Sequence, residues 1–312
     1  MTGSIPNVSI GVPVYNGARY LRSAVESMLD QTFEDFELLI LDNASTDETP
    51  EIGRALAAED DRVRYERNRT NLGGLENFNR CVQKTRGQYF KWAACDDRCA
   101  PTFLERCVAL LGENPDAVLA HTGVRAIDAE GDPLPYDDER GGFVDRTGVL
   151  RSFDPRERAG MLAEDPAERF AASLYATVVA HEVYGLIRRS ALERTDLMRL
   201  HGQEGLLVSE LGLLGRFVHA DEPLFLRRFH PGNAPRTRRE LIEYQTGERP
   251  AVVTPPWRSF FAYLRAVITI GDLSLVDRLR CASVVFGYAI RPQSLRYFFV
   301  PGPFNYWGIT TE

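Results

Sequence analysis

The chain has 312 residues, and its 44 acidic against 37 basic side chains leave a net charge of −7. That length fits one large domain, or a domain with an appendage, and supplies a sizeable hydrophobic core. The acidic balance excludes a general nucleic-acid binder, which needs clustered cations against phosphate.

Met1 to Pro6 has neither the charged start nor the apolar centre of a secretory leader, and charge breaks every apolar stretch well before bilayer length. The five cysteines, Cys81, Cys95, Cys99, Cys107 and Cys281, are odd in number and scattered. They read as reduced thiols, not a disulfide framework, and the cytoplasm is the expected compartment. Cys95, Cys99 and Cys107 have no C-x-x-C pair or nearby histidine, so a zinc site is not expected there.

Strands and helices alternate from the start. "VSIGVPVY" (8–15) is β-rich and ends at the Asn16-Gly17 turn signal. "ARYLRSAVESMLDQ" follows with Tyr20, Leu21, Val25, Met28 and Leu29 at helical spacing. "FELLILD" (36–42) is a nearly continuous apolar run, as in a strand buried on both faces. Ser45 to Glu48 carries helix-start chemistry for the segment 48–59. A third strand is expected at "VRYERN" and a third helix over 74–85. A fourth strand is expected at "GQYFKWAAC", a fourth helix at "APTFLERCVALL" and a fifth strand at "AVLAHTGVRAID". This order predicts a mostly parallel sheet with helices on both faces. Residues 129–160, rich in Gly, Pro, Asp and Arg, read as a long surface flap. Order returns at "PAERFAASLYAT", "VYGLIRRSAL" and "GLLVSELGLLGRF", and from about 236 a helical, aromatic-rich section follows.

Ligands of such sheets collect beyond the carboxyl ends of the strands. Tyr15-Asn16, Asp42-Asn43 and Asp96-Asp97 all fall there. Adjacent carboxylates at a strand end offer hard oxygen ligands to Mg²⁺ or Mn²⁺; they also suit a solvated or helix-capping turn.

Several motifs occur together and in order. They are a strand ending Pro-x-Tyr-Asn, a helix ending Gln-Thr, a second strand running into "DNASTD", then "NLGGLENFNRCVQKTRGQYF" and "ACDDRCAP". As a set they resemble the family 2 glycosyltransferases of GT-A fold over residues 8 to about 230. The resemblance implies an inverting, nucleotide-sugar-dependent enzyme of α/β GT-A fold, with a catalytic domain over 1–235 and a C-terminal helical extension over 236–312. Within the domain it implies a nucleotide-binding half, 1–128, and an acceptor-binding half, 129–235. Pro13, Val14, Tyr15 and Asn16 would wall the donor pocket, and Asp42 would accept a hydrogen bond from a pyrimidine base, favouring a UDP- or dTDP-sugar. Asn71, Gly73 and Gly74 would let backbone approach the nucleotide, and Lys91 would join the donor contacts. Asp96 would hold Mn²⁺ or Mg²⁺ on the donor diphosphate, with Asp97 and His230 as further ligands. The sequence departs from the family at Ala94, where the first acid of Asp-x-Asp is expected.

At the start of the apolar helix near 205–214 the family carries Glu-Asp, its aspartate acting as general base. Gln203 and Glu204 occupy those positions, so the resemblance makes Glu204 the base; helix N-terminal charge explains the same residue without catalysis. Glu210 is the competing acid, expected to be structural. Arg236, Arg238 and Arg239 suit either closure over a diphosphate or a solvated basic loop.

The tail from Pro256 places Trp257, Phe260, Phe261, Leu264 and Ile268 on one helical face and is rich in arginine. It reads as packing on the catalytic domain or as a dimer contact, with peripheral docking at an anionic membrane as the alternative. The acceptor would be a hydroxyl of a glycan, a lipid-linked sugar or a small-molecule natural product. Two other readings stand beside the enzyme: an inactive nucleotide-sugar-binding subunit or sensor, and a sugar-phosphate nucleotidyltransferase. The second fits poorly, because "VYNGARY" lacks a glycine-rich, basic loop.

Overall fold

The computed structural model describes residues 5–145, 148–151, 160–175, 181–199, 203–230, 243–244, 246–247 and 257–291. The first half forms β1 (Val8–Val14), α1 (Ala18–Leu29), β2 (Phe36–Asp42), α2 (Thr49–Glu59), β3 (Val63–Arg67), α3 (Gly74–Gln83) and β4 (Tyr89–Trp92). A two-residue strand, β5 (Arg98–Cys99), precedes α4 (Phe103–Glu113) and the long β6 (Ala117–Ile127). A small antiparallel sheet follows, β7 (Tyr136–Asp137), β8 (Gly142–Val144) and β9 (Leu150–Arg151). Then come α5 (Pro166–Tyr175), a 3₁₀ turn His181–Tyr184, β10 (Leu186–Arg188) and α6 (Arg189–Leu192). The last elements are α7 (Gln203–Leu214), β11 (Arg216–Arg228), α8 (Trp257–Thr269) and α9 (Leu275–Ala289).

Among the described residues the main sheet has eight strands in the order β3-β2-β1-β4-β10-β6-β11-β5. β3, β2, β1 and β4 run parallel, and β6 and β11 pair in parallel. The expected fifth strand does not adjoin the fourth. β10 inserts between β4 and β6, antiparallel to both, and β5 adds antiparallel to β11. Strands as short as three and two residues carry little periodicity, so the alternation rule cannot locate them. The outcome is the mostly parallel α/β sheet, with helices on both faces and further helices at the C-terminal end, that the GT-A resemblance implies.

Two apolar layers sandwich the sheet. One joins Leu21, Val25 and Met28 of α1, Leu56 of α2 and Phe103, Leu104 and Cys107 of α4 to one face. The other joins Cys81 and Val82 of α3, Leu192 of α6 and Leu207, Val208 and Leu211 of α7 to the opposite face. α3 lies so close over β1 that a Cβ on Gly11 would stand 2.5 Å from Cβ of Cys81, which excludes any larger residue at 11. α7 is not the one-sided helix its leucines suggest. Leu206 and Leu213 pack outward with α5, α8 and α9 while Leu207 and Leu211 pack on the sheet, so the helix is buried on both sides.

The crevice opens where β1 loses a neighbour. β1 pairs with β4 only from Val8 to Gly11 but stays on β2 as far as Val14. Pro13 is therefore tolerated in a central strand: β4 has ended on that side and needs no N–H from residue 13. Beyond Gly11 and Trp92 the β1–β4 pairing ends, the arrangement that leaves a switch-point crevice at the carboxyl edge of such sheets.

Candidate active site

The cleft floor is a set of loops locked by asparagine and hydroxyl side chains. Asn16 and Ala44 adopt left-handed backbone, at φ 51° and φ 62°. The N–H groups of Asn16, Gly17 and Ala18 donate to Ser45 Oγ, Thr49 Oγ1 and Asp47 Oδ2 at 2.9, 2.9 and 3.1 Å. The helix-start chemistry of 45–48 serves α2, where Asp47 Oδ1 accepts the Thr49 N–H at 3.1 Å, and also the N-terminus of α1 across the loop. A helix N-terminus needs acceptors, and the adjacent loop supplies them.

Asp42 is fully buried. Its Oδ1 accepts from the Ser45 N–H at 2.8 Å, and its Oδ2 accepts from the Tyr65 hydroxyl at 2.7 Å and faces Arg67 Nε at 3.1 Å. Tyr65 is correspondingly hard to ionise, first through burial and then through this bond to a carboxylate. Asp42 therefore braces the 42–45 turn, its oxygens engaged by the protein. Beside it the Asn43 amide donates to Asn71 Oδ1 at 2.7 Å and to the Gly73 carbonyl at 3.2 Å, while its Oδ1 accepts from Asn68 and from Leu72 N. Asn68 bonds on to Asn77, which donates to the Leu41 carbonyl. Gly73, at φ 81° and ψ 159°, sits in a region open to glycine almost alone. This network fixes the 68–74 loop over the sheet edge; a lone asparagine carries no such signal in sequence.

The paired aspartates diverge. Asp96 Oδ2 lies 3.1 Å from His230 Nε2. Burial works against the Asp96 charge, but the His230 ring and Arg227 outweigh it and hold the carboxyl below its ordinary range. Asp97 turns inward, is 4% exposed and accepts the Arg228 N–H at 2.8 Å, with Arg227 Nη1 3.5 Å away. Burial raises its pKa, against the pull of Arg227. Arg228 fastens the turn: its Nε donates to the Asp96 carbonyl at 2.7 Å and its Nη1 to the carbonyls of Asp128 and Ala129. The Arg228 guanidinium also covers the Tyr20 ring at 4.8 Å, and the His230 ring packs on Tyr20 at 4.6 Å.

The donor set at Asp96 and His230 fits a divalent cation. One carboxylate oxygen and one imidazole nitrogen 3.1 Å apart stand at the bite of two adjacent ligands on a single small cation with bonds of about 2.1 Å. Such cations keep open positions for water and phosphate oxygens. Asp97 does not join them, and among the described residues no three His, Cys, Asp or Glu side chains gather at ligating spacing.

Lys91, expected among the donor contacts, is instead fully buried. Its ammonium bonds the Tyr184 carbonyl and lies 4.2 Å from the Phe103 ring centre. It ties β4 to the 3₁₀ turn, because its position in β4 points it into the layer opposite Phe90 and Trp92. Of the other donor-wall residues, Pro13 and Val14 are buried, while Tyr15 is 44% exposed and Asn16 lies open at the rim.

Glu204 is the second residue of α7 and is partly exposed. Burial raises its pKa, partly opposed by Arg227. Burial, with a smaller contribution from the Glu204 carboxylate, raises the pKa of the Tyr184 and Tyr244 hydroxyls, and Asp96 adds to the effect at Tyr244. Glu204 and Asp96 thus both lie within electrostatic reach of Tyr244. Tyr244 lies over the start of α3: a Cβ on Gly74 would stand 3.0 Å from the Tyr244 ring, and a Cβ on Gly247 would stand 2.9 Å from the Gly73 nitrogen. Glu210, a turn and a half along, is fully buried and accepts from the Asp196 N–H at 3.1 Å and from Arg199. Arg236, Arg238 and Arg239 lie outside the described residues. Tyr20, Tyr184, Arg227, Arg228 and Tyr244 escape the sequence reading; only the Arg-Arg pair ahead of His230 offered a signal, and strand alternation separates its members.

Residues 9–194 match the model of glycosyl transferase family 2. An uncharacterized glycosyltransferase of Rickettsia felis is 35% identical over 133 residues, which cover 42% of this chain and 22% of that protein. The chain therefore spans only about a fifth of that relative's length. Residues 1–349 of Staphylococcus aureus TarS, in complex with UDP-GlcNAc, share the fold with a TM-score of 0.62 at 15% identity, over 94% of this chain and 78% of that one. The mannosyltransferase PcManGT from Pyrobaculum calidifontis, in complex with GDP-Man and Mn²⁺, does so with a TM-score of 0.53 at 16% identity, over 95% and 84%. With the motifs in order, the GT-A sheet assembled around them and the family model matched over more than half its length, this chain belongs to glycosyl transferase family 2.

Proposed function

We propose that the protein transfers a sugar, with inversion, from a nucleotide-diphosphate donor (a UDP- or dTDP-sugar) to an acceptor hydroxyl. The observation that carries this reading is the Asp96–His230 pair, 3.1 Å apart beyond the end of β4, with Glu204 and Asp96 both within electrostatic reach of Tyr244. A base at one end and a phosphate-facing cation site at the other are the two groups that displacement at an anomeric carbon requires.

The loops 13–16, 42–45 and 71–74 form the donor wall, with Asp42 and Asn43 keeping it rigid. Asp96 and His230 would hold Mn²⁺ or Mg²⁺, whose chemistry is to stabilise negative charge on the departing diphosphate. Glu204 takes the proton of the attacking hydroxyl; burial raises its proton affinity toward that of a working base. Tyr244 covers the donor loop and restricts water at the reacting centre. In TarS and PcManGT the bound molecules are nucleotide sugars, which supports this donor class.

A second reading, a nucleotide-sugar-binding subunit without turnover, is favoured by Ala94 at the position of a family acid. Melting of the full chain with UDP, dTDP and GDP, each with and without Mn²⁺, tests donor binding. Release of nucleotide from the matching sugar donor then separates enzyme from subunit. Stabilisation by a diphosphate that grows with Mn²⁺, together with turnover, is expected. No stabilisation by any of the three would overturn both readings, and binding without turnover would leave the subunit.

A further inference from the structure

Twelve large apolar side chains are exposed among the described residues, and seven of them lie on α8, α9 and the turn between them. They are Phe261, Ile268, Leu275, Val276, Leu279, Phe286 and Ile290, all between 53% and 74% exposed. On α9 the outward positions 276, 279, 283, 286 and 290 follow a 3-4-3-4 spacing, apolar except at Ser283. The opposite side of the same helix is apolar too, with Cys281 and Val285 buried against α5 and α8. A helix apolar on two opposed sides needs cover on both, and among the described residues cover is found on one only.

The two helices form a rigid platform. The Arg278 guanidinium donates to the carbonyls of Val267, Ile268, Ile270 and Gly271, closing the C-terminus of α8 onto α9. Phe260 packs edge-on against Phe286 at 5.3 Å. The outward face is therefore shaped by the fold and is not a frayed end.

Charge selects the occupant. Residues 257–291 carry Arg258, Arg265, Arg278, Arg280 and Arg291 against Asp272 and Asp277, a positive balance in a chain whose total is −7. Arg265 and Arg280 lie at the edge in half-exposed pairs with Asp196 and Asp165, the kind of surface contact that a competing anion displaces at little cost. A two-fold contact with a second copy would set this positive edge against itself. A surface of anionic headgroups over an apolar interior complements both the rim and the face. No helix among the described residues is long and apolar enough to cross a membrane, so the fit is to a surface and not to a span.

We propose that the outer face of α8 and α9, centred on Leu279 and Phe286, docks the protein on an anionic lipid bilayer. Within the reading of the site given above, this places catalysis beside the membrane. α8 packs on α7, and the Tyr263 hydroxyl lies 3.3 Å from where a Cβ on Gly205 would stand, next to Glu204. One layer of helix thus separates the lipid-facing side chains from the base.

The test is flotation of the full chain with two kinds of vesicle, phosphatidylcholine alone and phosphatidylcholine with about a third phosphatidylglycerol. The wild type is compared with Leu279→Glu/Phe286→Glu and, as a second variant, Ile290→Glu. Melting temperature, UDP affinity and sedimentation are measured in parallel. The expected result is capture by anionic vesicles, weakened by salt, and reduced about tenfold or more in variants with unchanged melting and nucleotide binding. Failure to float with either vesicle would overturn the proposal, as would equal capture by neutral vesicles. A dimer in solution that Leu279→Glu/Phe286→Glu dissociates, without vesicle capture, would assign the face to a second copy instead. None of these readouts uses turnover, so the docking face fails or stands apart from the proposed activity.

Discussion

Nε2 of His230 stands 3.1 Å from Oδ2 of Asp96, across 134 residues of sequence. β11 makes the contact: Arg228, its last residue, grips both aspartates of the turn, and His230 follows two positions later. If the pair holds a cation against the donor diphosphate, Asp96→Asn should weaken UDP binding in Mn²⁺ about tenfold or more while leaving uridine binding nearly unchanged. His230→Ala should give a milder version. Calorimetry with UDP and uridine, with and without Mn²⁺, checks this; equal losses for both ligands would place the cation elsewhere.

Glu204→Gln keeps shape and packing but removes basicity. Turnover should fall by about 10²–10⁴, the span of general-base catalysis, with donor affinity almost unaltered. Because burial raises the Glu204 pKa, wild-type activity should decline as pH falls through that raised value, and the variant should lack this limb. Rate–pH profiles alongside nucleotide titrations decide the matter. A folded, donor-binding variant with a near wild-type rate would remove Glu204 from the chemistry.

Glu210 gives a separate pH signature in stability. Burial raises its pKa from the ordinary 4.5 to about 7, against the pull of Arg199. The folded chain thus holds that proton more tightly than the unfolded chain, so this group's contribution to stability falls as pH rises from about 4.5 to about 7. Glu210→Gln should flatten this slope. Melting temperatures of both proteins across that window provide the measurement, and parallel curves would contradict the assignment.

Asp42 is predicted to act through the loop it braces. Asp42→Ala strips the Ser45 N–H, the Tyr65 hydroxyl and Arg67 of a buried acceptor, a loss of about 1.5–3 kcal/mol for a charged hydrogen bond. Both melting temperature and UDP affinity should drop. Tyr65→Phe, which removes one of these bonds, should lose less of each. An Asp42→Ala protein that melts normally but no longer binds UDP would show instead that the carboxylate meets the base directly.

Tyr244 lies over Gly74 and within electrostatic reach of Glu204 and Asp96. Tyr244→Ala should raise the KM for donor several-fold, and Tyr244→Phe should recover most of it if ring cover is what counts. Initial rates over a donor series distinguish the two. Failure of Tyr244→Phe to recover the KM, with melting unchanged, would assign the effect to the hydroxyl.

Local pattern alone determined β1 to β4, β6 and the helices α1 to α4, the rim positions of Tyr15-Asn16, Asp42-Asn43 and Asp96-Asp97, and the pairing of Gln203-Glu204 with the start of a helix. Those features are written in runs of neighbours: continuous apolar stretches buried on both faces, glycine and asparagine at turns, periodic leucines. Tertiary structure decided the rest. β10 inserts between β4 and β6 although it is only three residues long, because its hydrogen bonds come from strands placed by other segments. Lys91 sits in a strand that ends at the rim, yet the face on which it lies turns it into the core, toward Tyr184. Asp96 and Asp97 are adjacent in sequence but unequal in the fold, since Arg228 takes one into the interior and leaves the other facing His230. The outward apolar face of α9 became visible only when α5 and α8 had covered the opposite side. Sequence spacing fixes which side of a strand or helix a residue occupies; what lies against that side is set by contacts between distant segments.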